Sequence, residues 1–163
     1  MYVRQPILFV PNSFEMSYGP NPASLTLLEA LERFPARSKV RFLGCIISYH
    51  SPSATLTVSH KSLYPSSCQP KTQKAKVDIS NLVRTLSTDV LQNGEWINII
   101  GYTVNVVKSG KENTQGGVEV AYIDAVQIWS AGAIDLGVYE RSLREKLEVD
   151  QRSVNMIGTS TRA

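Results

Sequence analysis

The chain has 163 residues, with 17 Lys and Arg against 14 Asp and Glu and a formal net charge of +3. Its apolar share of 42% is enough for one packed core with some appended structure, and so mild a charge permits contact with nucleic acid without demanding it. No uninterrupted apolar run is long enough to span a bilayer, and Ile7-Leu8-Phe9-Val10, held between Pro6 and Pro11, is too short for a signal-peptide core. These features point to a nuclear or cytosolic protein that does not enter membranes.

In chain order, residues 1–20 read as an extended arm with one short strand around Ile7 to Val10. Gly19-Pro20-Asn21-Pro22 breaks the chain. Asn21 is placed to cap a helix with Pro22 at its first position. Leu25, Leu28 and Leu31, with Leu27 beside them, recur at helical spacing, and the helix is expected to stop before Pro35. Its apolar stripe fits as a plug for one end of a barrel; a surface for a partner is the alternative.

From Lys39 to His60 the pattern is two strands and a tight turn. Val40, Phe42, Ile46 and Ser48 alternate with Arg41, Leu43, Cys45, Ile47 and Tyr49, so both faces of the first strand are largely apolar. Gly44 at its middle marks a bulge or a sharp bend. Ser51-Pro52-Ser53 supplies the turn, after which Ala54, Leu56 and Val58 alternate with Thr55, Thr57 and Ser59. A strand bent this hard can serve two sheets, as a small closed barrel requires.

Ser62 to Gln73, rich in Ser and Pro, reads as an exposed loop. Lys71, Lys74 and Lys76 approach a third strand in which Val77 and Ile79 alternate with Asp78. Leu82, Val83, Leu86 and Val90 suggest a short helix or irregular crossover that ends at Asn93-Gly94. Trp96 to Val107 forms a fourth strand with a central Gly101, Lys108 to Gly117 a hairpin loop, and Val118 to Trp129 a fifth strand. Three strands, a short helix and two strands give the order of the OB-fold, the five-stranded Greek-key barrel. The chain is therefore read as all-β, an OB barrel over 39–130 preceded by an N-terminal arm and helix (1–38). A C-terminal helix follows at 131–151, with a frayed polar tail at 152–163.

In that last helix Asp135 is the expected N-cap. Leu136, Tyr139, Leu143 and Leu147 follow at spacings of three and four and make one stripe, with Arg141, Arg144, Glu145, Lys146 and Glu148 on the other faces. A helix added to a finished barrel must bury its stripe on that barrel or on a second molecule. The partner reading assigns the contact to Leu136, Tyr139, Leu143, Arg144 and Leu147. Each buried leucine would contribute roughly 1.5–3 kcal/mol, and Tyr139 is a rigid body of the kind that anchors interfaces.

Reactive groups are few. His50 flanks a turn, His60 ends a strand, Cys45 alternates with core residues as a small buried hydrophobe, and Cys68 lies in the Ser/Pro loop. No metal-ligand spacing, phosphate loop, dinucleotide fingerprint or nucleophile elbow is present, so neither a cofactor, a metal nor an enzyme is expected. Single-strand binding has more support. Lys71, Lys74, Lys76, Lys108 and Lys111 flank the usual binding face of the barrel, and Tyr49, Tyr64, Tyr102 and Tyr122 are candidate stacking platforms. Loop lysines are equally well explained by solvation and strand tyrosines by the core.

Several short motifs, spread over most of the chain, carry a resemblance. They are Ile7-Leu8-Phe9-Val10-Pro11, Ser38-Lys39-Val40-Arg41 with Gly44 and Tyr49, and Trp96-Ile97-Asn98-Ile99-Ile100-Gly101. The last is Asp135-Leu136-Gly137-Val138-Tyr139-Glu140 followed by Leu143-Arg144-Glu145. In this order and spacing the chain resembles the Ten1 subunits of the telomeric CST complex in their fungal form, which are similar to the small subunit of replication protein A. The helix from Pro22 to Phe34 and the 62–73 loop exceed what compact members carry. The resemblance implies a nuclear, non-enzymatic OB subunit that forms a heterodimer with Stn1 through barrel edges and C-terminal helices. It also implies indirect contact with a Cdc13/CTC-type large subunit, and with telomeric single-stranded DNA mainly within the complex. That assembly would cap chromosome ends, limit telomerase and aid lagging-strand fill-in.

Overall fold

In the computed structural model the described residues are 19–60, 72–104 and 119–159. The strand expected at Ile7 to Val10 and most of the 62–73 and 108–117 loops lie outside them. Six strands are present among the described residues: β1 Ser24–Leu25, β2 Lys39–His50, β3 Thr55–Ser59, β4 Thr72–Asp78, β5 Trp96–Thr103 and β6 Glu119–Ser130. They are ordered β1-β2-β3-β4-β6-β5, and pairing of β2 with β5 closes β2 to β6 into a barrel. Within it only β4 and β6 run parallel. This is the OB-fold.

The bend in β2 makes closure possible. Its first half, Lys39 to Cys45, pairs with β5, and its second half, from Cys45 on, pairs with β3. The hand-over falls at Gly44, where a Cβ would sit 3.1 Å from Val58 Cβ and Cγ2. A second glycine is more constrained: at Gly101 an added Cβ would lie 2.5 Å from Asp124 O and 2.6 Å from Ile123 Cγ2. There the β5–β6 register shifts, so the missing side chain lets two strands approach where the sheet turns a corner.

Inside the barrel Val40, Phe42, Ile46, Leu56, Val58, Val77, Ile97, Ile99 and Ile123 form the core. The expected N-terminal helix is shorter and different in kind. Ser24 and Leu25 pair parallel with Val40 and Arg41, Thr26 N donates to Arg41 O, and only Leu28–Arg33 coils, as a 3-10 turn. Its N-cap position is Leu27 and not Asn21. Backbone hydrogen bonds to β2 outweigh the local helical preference of 22–27, because burying Leu28 and Leu31 in the barrel needs the chain to cross its end. The plug reading of these leucines holds, and the turn ends before Pro35 as expected.

The 80–94 crossover is irregular, with a 3-10 turn at Thr88–Leu91 and Gly94 at φ 89°. Helix α1, Leu136–Thr159, continues through the segment after Arg152 that was expected to fray. Its start is capped as expected, with Val138 N donating to Asp135 Oδ1 at 3.0 Å.

Candidate functional site: a covered and an open face of the barrel

The outward side of β2, β5 and β6 near their α1 end is the covered face. Leu43 points away from the barrel core yet is buried. Arg41 lies 5.1 Å from the centroid of the Trp129 ring, with Nη2 3.5 Å from Asn98 Oδ1. Helix α1 is fastened here by side chains. Glu140 Oε1, fully buried, lies 2.9 Å from His60 Nε2, within hydrogen-bond distance, and His60 meets Trp96 edge to face at 5.2 Å. One turn on, Arg144 Nη2 reaches Glu29 Oε1 at 3.0 Å. Burial pushes the Tyr139 phenol up, and the Arg41 charge opposes that.

This arrangement turns the expected partner stripe towards the chain's own barrel. Leu143 is only 3% exposed, buried within its own chain, and Arg144 is engaged with Glu29. Leu136, Tyr139 and Leu147 are half-buried. The stripe faces the barrel because Glu140 falls on it too, and a buried carboxylate must meet a polar partner. Among the described residues, the large apolar groups that α1 leaves in solvent are Val138 and Val149, 57% and 59% exposed. Eleven residues apart (149 − 138), they lie on one side of the helix.

The open face runs across β3, β4, β6 and β5. One row places Thr57 beside Lys76, Lys76 beside Tyr122, and Tyr122 beside Val104. Lys76 Nζ stands 5.8 Å from the Tyr122 ring centroid. The next row is Thr55, Asp78, Asp124 and Tyr102. A groove of about 680 Å³ follows these rows to the β2–β3 turn. There His50 Nδ1 and Ser53 Oγ are 2.7 Å apart and Ser53 Oγ donates to Thr55 Oγ1.

Of the expected nucleic-acid residues, Lys74, Lys76, Tyr102 and Tyr122 share this exposed surface. The lysines sit within β4 and not before it. Lys71, Lys108, Lys111, Tyr64 and Cys68 lie outside the described residues. Tyr49 is half-buried and packs against the core. Cys45 is half-buried and not fully so, and its thiol is pushed up by burial and then by the Glu95 carboxylate.

Two features are absent from the sequence reading. Asp78 and Asp124 stand in register on neighbouring strands, and among the described residues no ion pair reaches either. His60 is a buried anchor and more than a strand end. The spacing of Leu136, Leu143 and Leu147 places Glu140 on their stripe, but nothing local pairs it with His60. No group of three or more His, Cys, Asp or Glu able to hold a metal occurs among the described residues.

The model of one protein family, Ten1 (telomere capping, CST complex subunit), matches residues 15–144. The chain belongs to the Ten1 family. Two solved structures share the fold. A chain of the crystallised S. pombe Stn1–Ten1 complex superposes with TM-score 0.55 at 22% identity, over 80% of this chain and 96% of that one. Crystallised S. pombe telomere-capping protein Ten1 gives 0.54 at 23%, over 78% and 99%. A chain of U. maydis replication protein A bound to ssDNA gives 0.48 at 16%, over 80% and 94%. No match is found among curated sequences. The Ten1 match ends at Arg144, so it includes Glu140 and Leu143 but not the outer half of α1.

Proposed function

We propose that this Ten1-family chain is a non-enzymatic subunit that pairs with an Stn1-type OB subunit in the nucleus. The pair would join a Cdc13/CTC-type large subunit to cap chromosome ends, limit telomerase and support fill-in. The observation that carries this reading is α1: its inner side is fastened to the barrel, while Val138 and Val149 stand in solvent on its outer side. Tyr139, half-buried and about 100° round the helix from Val138, borders the contact, while Leu136, Leu143, Arg144 and Leu147 support it from the barrel side. Burying a valine contributes roughly 1.5 kcal/mol, about tenfold in affinity. Val138→Glu with Val149→Glu should therefore abolish co-purification with the Stn1-type subunit at unchanged thermal stability. Normal co-purification would reject α1 as the main contact. Leu143→Glu cannot make this distinction, because it places a charge in the chain's own interior.

A second reading, single-strand binding by the isolated chain, draws on Lys74, Lys76, Tyr102 and Tyr122. Asp78 and Asp124 oppose it: the described charges of the open face are two positive and two negative. DNA contact is accordingly assigned to the assembly. If two lysines act alone, the isolated chain should bind oligonucleotide with a log–log salt slope no steeper than about −1.4. Tight binding with a steep slope would favour the autonomous reading.

A further inference from the structure

We propose that the His60–Glu140 pair is a positioning device that sets the rotation of α1 about its own axis, and so decides which side of the helix a partner meets. The inference rests on α1 being the partner contact. Glu140 is fully buried, the His60 side chain is 4% exposed, and their 2.9 Å contact joins residues 80 apart in sequence. Of the other anchors, Leu143 is apolar and non-directional, so rotating the helix by a fraction of a turn costs it little, and Arg144–Glu29 joins partly solvated side chains, 28% and 17% exposed, that can follow such a movement. A hydrogen bond between two buried groups is different, because its length and angle tolerate little movement. His60 is held in turn, wedged edge to face on Trp96 at 81° between ring planes.

Buried ion pairs add little net stability compared with well-packed apolar groups, and their best-attested use is to choose one geometry among several. Here the alternatives are concrete. Glu140 and Leu143 point in, and Val138 and Val149 point out. A turn of the helix by one residue, about 100°, would carry the valines away from the partner side.

The test compares His60→Leu/Glu140→Leu with the wild type in a background lacking Cys45 and Cys68. Spin labels go at Glu145→Cys and Arg84→Cys, both exposed. The wild type should give one narrow distance distribution. The apolar double variant should keep or raise its melting temperature, give a broadened or shifted distribution, and lose tenfold or more in affinity for the Stn1-type subunit. Glu140→Gln, whose amide oxygen can still accept from His60 Nε2–H, should keep the narrow distribution and bind within about twofold of wild type. A narrow wild-type distribution in the apolar variant overturns the proposal, as does broadening with unchanged affinity. If the apolar variant does not fold, Glu140→Gln decides: broadening in that folded variant overturns the proposal and retention supports it. If the wild type does not bind the Stn1-type subunit at all, the proposed function fails, and the distances alone still judge the positioning role.

Discussion

The two outer faces of this barrel are built from neighbouring strands and treat polar groups in opposite ways. On the covered face a carboxylate is buried, and it is matched to an imidazole at 2.9 Å. On the open face two carboxylates, Asp78 and Asp124, sit side by side with no described ion pair, because water solvates them. The first face is specified by geometry and should be intolerant of change. The second is specified by little besides strand register, so its residues are free to serve binding.

The largest break in that contrast should come from Glu140→Ala. It leaves His60 buried beside a cavity, and breaking a buried pair by removing one partner costs about 3–5 kcal/mol. For a chain of this length that lowers the melting temperature by roughly 2–4 °C per kcal/mol, read by calorimetry. Leu143→Ala should follow at about 2–5 kcal/mol. Tyr122→Ala, on the open face and 41% exposed, should stay within about 0.5 kcal/mol of wild type. Equal effects from Leu143→Ala and Tyr122→Ala would show that α1 is not seated on the barrel.

How far the sequence foretold this contrast depends on the kind of signal. Strand alternation, the glycines at 44 and 101, and the Asp135 cap are local, and each is where the pattern places it. The barrel was legible from them. The direction of the α1 stripe was not, because periodicity says that Leu136, Tyr139, Leu143 and Leu147 share a side without saying what covers it. The deciding residue was Glu140, a charge on the apolar stripe whose partner lies 80 positions away. The 22–34 segment failed for a related reason: its leucine spacing suits a helix, yet Thr26 N bonds to Arg41 O across the chain. Long-range pairing of this kind leaves no trace in a local window.

A smaller effect is expected on the open face. Asp78→Asn with Asp124→Asn removes two negative charges from the row beside Lys76 and Tyr122, at unchanged shape. Like charges in directly opposed strand positions are mildly destabilising, so stability should hold or rise by about 0.2–1 kcal/mol. Oligonucleotide binding by the isolated chain, measured by anisotropy at low salt, should strengthen several-fold and weaken again with added salt. If affinity does not change, the acidic row does not limit nucleic-acid contact and the open face serves some other ligand.

A last effect, of similarly small size, sharpens the covered face at Tyr139. Its hydroxyl oxygen is buried without a hydrogen-bond partner among the described residues, although the ring as a whole is only half-buried. Tyr139→Phe removes that oxygen and no hydrogen bond, so stability at pH 7 should be unchanged or higher by about 1 kcal/mol. The pH dependence carries more information. Burial raises the phenol above its ordinary 10.0, with Arg41 in opposition, so near and above pH 10 the folded chain holds a proton that the unfolded chain releases. The stability that this group contributes is complete below pH 10 and is lost as pH climbs through the raised value. Subtracting the unfolding profile of Tyr139→Phe from that of the wild type isolates this from the other tyrosines: wild type should weaken relative to the variant only above pH 10. A flat difference would mean that the phenol is solvated, and that α1 lies less closely on Arg41 than the covered face requires.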